Sequence, residues 1–203
     1  MKKRTAFTLM VLLILNILNV SILAAIPPGC TSTDLNASYV AQAKDNWCWA
    51  ASAENAIIWE NTGSTLTRTQ YDAVWYLKGS PWNPHPDIAG SIYDSQKAAE
   101  YISSNTIAYT ASETKESYSF LCEEIFESHP VIVGAGYYTS SGIRNGGHAT
   151  LITGWSTASG KNYLTYFDSA TNTYETCTYN AFCDGTYNNR KYDQTCHVTK
   201  PTK

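Results

Sequence analysis

The chain has 203 residues, of which 43% are hydrophobic, 13% aromatic and 15% charged. No internal repeat or low-complexity tract interrupts it, so the composition fits one globular domain with a real core and excludes a disordered or solenoid protein. Fourteen basic against 17 acidic residues give a net charge of −3, which argues against nucleic acid or an anionic membrane surface as the main partner.

Met1-Lys2-Lys3-Arg4 leads an almost uninterrupted apolar run to Ala25, the layout of a secretory signal peptide. The run is also about long enough to stay uncut as an anchor, with its basic end inside and the remainder outside. Membrane contact is expected in that case alone. Removing residues 1–25 leaves 11 basic against 17 acidic residues. Residues 26–39, rich in Pro, Gly, Ser, Thr and Asn, read as an extended lead-in. Lipidation of Cys30 is a further option there, for which Pro27-Pro28-Gly29 make a poor recognition sequence. The domain proper then occupies 40–203.

From Cys48, CWAASAENAIIWE is dense in helix formers, and Ala50, Ala53, Ala56 and Ile57 fall on one face. Asp45 or Asn46 is placed to cap this helix, and Gly63 follows it. Thr67-Arg68-Thr69-Gln70 has the form of a capping box opening a second helix, TQYDAVWYLK, which Gly79 closes. Ser80 to Asp87 is a proline-punctuated loop. Helices are predicted over SIYDSQKAAEYI and SYSFLCEEIFES, the latter with a stripe of Tyr118, Leu121, Cys122 and Ile125. After Pro130 the period changes, and VIVGAGYY, HATLITGW and NYLTYFD read as strands joined by TSSGIRNGG and STASGK. Residues from Thr173 onward are expected to add irregular strands. Helices followed by sequential strands predict an α+β domain with an antiparallel sheet.

The six cysteines, Cys30, Cys48, Cys122, Cys177, Cys183 and Cys196, suggest disulfides in an exported protein, with connectivity open. Cys177, Cys183 and Cys196 are the expected place for one. Cys48 stands apart, because it opens a helix between Trp47 and Trp49, where the positive helix end lowers a thiol's pKa and favours the nucleophilic thiolate.

A nucleophilic thiol needs a base and a group to orient that base. Of the four histidines, His148 is the best placed, following Gly146-Gly147 at the start of an apolar strand. His85 lies between prolines, His129 ends a helix, and His197 neighbours Cys196. Asp168 ends the next strand, so adjacent antiparallel strands bring its carboxylate towards the imidazole. Gln42, six residues before Cys48, is placed to donate to an oxyanion alongside the Cys48 N–H. Trp47 and Trp49 either wall a substrate groove or pack in the core. Cys177, Cys183, Cys196 and His197 match no common zinc spacing, and no metal or other cofactor is expected.

Q-x5-C-W-A from Gln42, G-H-A-T-L-I-T-G from Gly147 and Asp168 together resemble the papain-like cysteine peptidases, most closely their compact bacterial branch related to the double-glycine leader peptidases. The resemblance spans roughly Val40 to Ala170. It implies a helical half carrying the nucleophile packed on an antiparallel half. It also implies roles by position: Cys48 as nucleophile, His148 as general base and acid, Asp168 as its orienter, and Gln42 in the oxyanion hole. Asp45-Asn46-Trp47 replace the cathepsin residues before the nucleophile, and Ser169 stands where the family usually has proline. The expected activity is peptide hydrolysis by an exported, monomeric thiol hydrolase acting on peptide or protein substrates. Acyl transfer or deamidation on the same constellation, and a non-catalytic binding module of the same fold, are the alternatives.

Overall fold

The computed structural model describes residues 26, 30–61 and 65–199. The signal-peptide or anchor segment 1–25 lies outside these, as does Gly63. No helix among the described residues is long and apolar enough to cross a membrane. The lead-in contributes a short strand β1 (Ser32–Asp34), and three helices follow: α1 (Cys48–Glu60), α2 (Gln70–Lys78) and α3 (Ile92–Ile102). Next come β2 (Tyr109–Ser112), α4 (Tyr118–Phe126), β3 (Val131–Tyr138), β4 (Arg144–Ala158) and β5 (Lys161–Asp168). The chain closes with β6 (Thr173–Thr178), α5 (Tyr179–Asp184) and β7 (Lys191–Val198). The seven strands form one antiparallel sheet in the order β2-β7-β3-β4-β5-β6, with β1 added to β4.

The two faces of this sheet carry two cores. On one, Ile132, Ala149 and Leu151 pack with α1, α2 and α3 through Ala50, Ala53, Ala56, Ile57, Val74 and Ala98. On the other, Val131, Val133, Ile152 and Leu164 pack with Leu121, Cys122 and Ile125 of α4 and Phe182 of α5. A strand covered on both faces has no polar alternation, which is why VIVGAG reads as a continuous apolar run. Helix α1 is buried from Trp49 to Ile57, and its alanines let neighbouring backbones approach closely.

Local signals fare unevenly. Thr69, not Thr67, caps α2, with Asp72 completing the box; Gln70 is drawn instead into a buried bond with Glu54. Neither Asp45 nor Asn46 caps α1, whose N-cap is Trp47 without a side-chain bond. Its first-turn N–H groups are therefore left to other acceptors. Gly146 and Gly147 belong to β4, opposite Tyr137 and Gly136, rather than to a turn. The bare backbone of Gly147 makes room for the Arg144 guanidinium, which takes the place a Cβ would occupy. The β4–β5 turn is Ser159-Gly160, both at positive φ (52° and 70°), as a tight hairpin requires. No disulfide forms among the six cysteines. Cys196 belongs to the helix-side core and Cys177 and Cys183 to the opposite one, so the sheet separates it from the other two.

Candidate active site

Cys48 is the first residue of α1 and half-buried. Two tryptophans flank it for a structural reason. Trp47 Nε1 donates to the Pro86 carbonyl at 2.9 Å and Trp49 Nε1 to the Ile88 carbonyl at 3.1 Å. The proline-rich loop is thus hung on the two residues beside Cys48. Lys44 Nζ and the Asn46 N–H reinforce it, bonding the His85 carbonyl and the Asp87 carboxylate. Trp47 is fully buried, whereas Trp49 both packs in the core and walls a cavity of about 420 Å³ that opens beside Cys48 and His148.

His148 stands on β4 opposite Ala135 of β3, whose small side chain leaves space for the ring. On the other side Leu151 pairs with Phe167 of β5, so the next register position sets Thr150 against Asp168, and His148 is its diagonal neighbour on the same sheet face. The contact is made: His148 Nε2 lies 2.7 Å from Asp168 Oδ1, with side chains only 11% and 2% exposed. The other ring nitrogen, Nδ1, is left free by Asp168, and His148 and Cys48 line the same cavity and influence each other's charge. Carboxylate and imidazole are therefore in direct contact, and imidazole and sulfur are coupled electrostatically.

The electrostatics follow from that arrangement. Burial pushes the Cys48 thiol up, but the hydrogen bond and charge of His148, with the N–H groups of Ala149 and Trp49, outweigh it and hold the thiol below its ordinary value. Burial likewise opposes charge on His148, yet Asp168 and Cys48 raise its pKa from 6.5 to about 9. Asp168 is held low against its burial by His148, by the Ala170 N–H and by Arg190. These directions agree on a thiolate–imidazolium pair backed by an ionised carboxylate. Arg190, at 3.5 Å from Asp168 Oδ2, escaped the sequence reading because it lies in the connection between α5 and β7, with no motif to mark it.

Gln42 is brought to the same region but differently engaged. Its N–H and the Ser169 carbonyl bond at 2.9 Å, and the Ser169 hydroxyl donates to its Oε1 at 3.3 Å. Its amide Nε2 donates to the carbonyls of Lys44 and Asp45, both at 2.9 Å, so both of its N–H groups are occupied. Two buried amides pin the segment around it. Asn55 of α1 exchanges two hydrogen bonds with the Val40 backbone, and Gln70 of α2 bonds the Ala41 carbonyl and the Ala43 N–H. The remaining histidines are elsewhere. His85 packs among Trp47, Tyr71 and Trp75, His129 pairs with Glu60, and His197 stacks edge-on to Phe120.

Residues 34–196 match the model of the Peptidase_C39 like family. The chain belongs to that family. Its fold is the papain-like one, seen also in digestive procathepsin L2 of Tenebrio molitor larval midgut, which aligns with a TM-score of 0.59 at 16% identity over 87% of this chain and 70% of that one. Digestive procathepsin L 3 of the same source aligns with a TM-score of 0.57 at 14% identity, over 87% and 72%. The proCathepsin B S9 from Trypanosoma congolense aligns with a TM-score of 0.58 at 11% identity, over 89% and 80%. No curated protein matches the chain in sequence. The family and the fold support a cysteine peptidase of the papain-like kind.

Proposed function

We propose that this chain is an exported cysteine peptidase that hydrolyses peptide bonds through Cys48, His148 and Asp168. The observation that carries the reading is the His148–Asp168 pair at 2.7 Å, with Cys48 beside His148 on the same cavity wall and its thiol held low by that ring. The Cys48 thiolate attacks the scissile carbonyl carbon, and the C=O electron pair moves onto oxygen. The Cys48 N–H meets that oxyanion, and Gln42 joins it by exchanging one of its two carbonyl bonds for the substrate oxygen. As the C–N bond breaks, His148 gives its Nδ1 proton to the leaving amine. Water then attacks the thioester, His148 accepts its proton, and the acid product leaves with Cys48 restored. Asp168 holds the ring and favours its charged form throughout.

The test compares wild type with Cys48→Ala and His148→Ala on a peptide library, with products read by mass spectrometry. Cleaved peptides that vanish in both variants are expected. Intact peptides with a small mass change would assign the constellation to transfer or deamidation, and no product from wild type would leave a binding module. Export is tested by finding the protein outside the cytoplasm, with residues 1–25 either removed or retained as an anchor.

A further inference from the structure

The cavity beside Cys48 has a polar end that the hydrolytic steps do not use. Ser95 of α3 lines it, is fully buried, and its hydroxyl has no hydrogen-bond partner. A buried hydroxyl left unpaired costs stability, and such groups in native proteins call for an explanation. Across from it, Gln194 of β7 lies over Gly134, with its Oε1 2.6 Å from where a Cβ would stand. That Oε1 accepts from Arg144 Nη2 at 3.2 Å, which fixes the amide's orientation and leaves its Nε2 as a donor without a partner among the described residues. Arg144 is itself held by Asp193, Nε to Oδ2, at 2.8 Å.

We propose that this cavity is a specificity pocket for a substrate side chain ending in a neutral carboxamide, for which glutamine serves as the probe. The inference rests on the peptidase reading and names the substrate class of that site. A carboxamide offers an acceptor to Gln194 Nε2 and a donor to the Ser95 hydroxyl, so both groups are satisfied together. An aliphatic side chain would bury both without partners. A carboxylate is disfavoured because Asp193 already offsets Arg144, while Asp45 adds a further negative charge at the wall. A lysine or arginine would face the Arg144 guanidinium. Gly134 and Gly147 have no side chains of their own and leave that space to Gln194 and Arg144, which give this wall its polar groups.

The experiment uses peptides varied one position at a time around the cleaved bond, with Gln, Glu, Leu and Lys as the alternatives. Cleavage by wild type is read alongside equilibrium binding of the same peptides to Cys48→Ala, which reports the pocket without turnover. At one position Gln is expected to exceed Leu by about tenfold or more, and the ratio is expected to collapse when Gln194→Leu and Ser95→Ala are combined. Circular dichroism of each variant checks folding, and Ser95→Ala alone, which removes the unpaired hydroxyl, gives a second reading if the pair misfolds. Cys48-dependent cleavage with Leu equal to or above Gln at every position, or a Gln preference that survives both substitutions, overturns the pocket and leaves the peptidase standing. Gln-selective binding without cleavage overturns the peptidase and leaves the pocket. Binding of none of the peptides overturns the pocket as well.

Discussion

Asp168→Asn keeps the size and an acceptor oxygen of the side chain while removing its charge, so it isolates what that charge does for His148. The rise of the His148 pKa from 6.5 to about 9 occurs against the opposing effect of burial, and corresponds to about 3 kcal/mol in favour of the imidazolium. The Asp168 hydrogen bond leads the contributions that raise it, followed by Cys48. Assigning Asp168 about half gives a drop of roughly one pH unit for the variant, enlarged because Arg190 is then left without its carboxylate. The assay is the rate of Cys48 alkylation by iodoacetate against pH, read at the Cys48 peptide by mass spectrometry. The reagent's negative charge makes the rate sensitive to the imidazolium proton, and no substrate is needed. The other buried thiols stay slow near neutrality, since burial pushes Cys122 up to about 11 and Cys177 to about 12. Wild type is expected to keep its fast phase until the pH approaches about 9, and Asp168→Asn to lose it about a unit earlier. Identical alkaline midpoints would refute the reasoning. The same shift sets a stability trend. Because the folded-state value lies above 6.5, the charged ring contributes stability fully below that pH and loses it as the pH rises through about 9.

Arg190→Gln removes a cation that helps to keep the Asp168 carboxyl low. A depressed carboxyl contributes stability that is lost as the pH falls through its folded value, so the acid-unfolding midpoint, followed by tryptophan fluorescence, is expected to move to higher pH. Gly90→Ala would set a Cβ 2.5 Å from the ring of Trp49, itself only 1% exposed. Overpacking of about 1–3 kcal/mol is expected in thermal denaturation, with slowed alkylation of Cys48 if the ring moves. Gln70 makes two hydrogen bonds to the buried Glu54 carboxylate and two to the segment around Gln42, and Gln70→Ala removes those of the side chain. One of those to Glu54 comes from the backbone and survives, so a loss of about 2–3 kcal/mol in chemical denaturation is expected, together with faster hydrogen exchange at Ala43.

Much of the site could be read along the chain because its parts sit at element ends. Cys48 opens a helix and Asp168 closes a strand, and each carries a local pattern: an alanine-rich helical run, and a β-type run before a turn. The stripe of Leu121, Cys122 and Ile125 was legible for the same reason, since three- and four-residue spacings are properties of one segment. Where local rules failed, a distant partner outbid them. Gln70 looked like part of a cap and instead meets Glu54, 16 residues back. Gly146-Gly147 looked like a turn and instead lies within β4, with Arg144 packed over Gly147. The cysteines of the last segment looked like partners, yet the sheet lies between Cys196 and the other two.

Sequence alone determined the α+β order, the helix that Cys48 opens and the identities of Cys48, His148, Asp168 and Gln42 as the residues to watch. Those follow from covalent neighbours and periodicity, which the chain carries wherever it goes. Only the tertiary structure decided that β7 returns between β2 and β3, carrying Gln194 to the cavity and leading Arg190 to Asp168. It also decided that the Gln42 amide is occupied, and that the two tryptophans beside Cys48 hold the Pro86–Ile88 segment. Those depend on strand register and on packing between segments far apart in the chain, where the energy of a contact is set by what arrives on the other side.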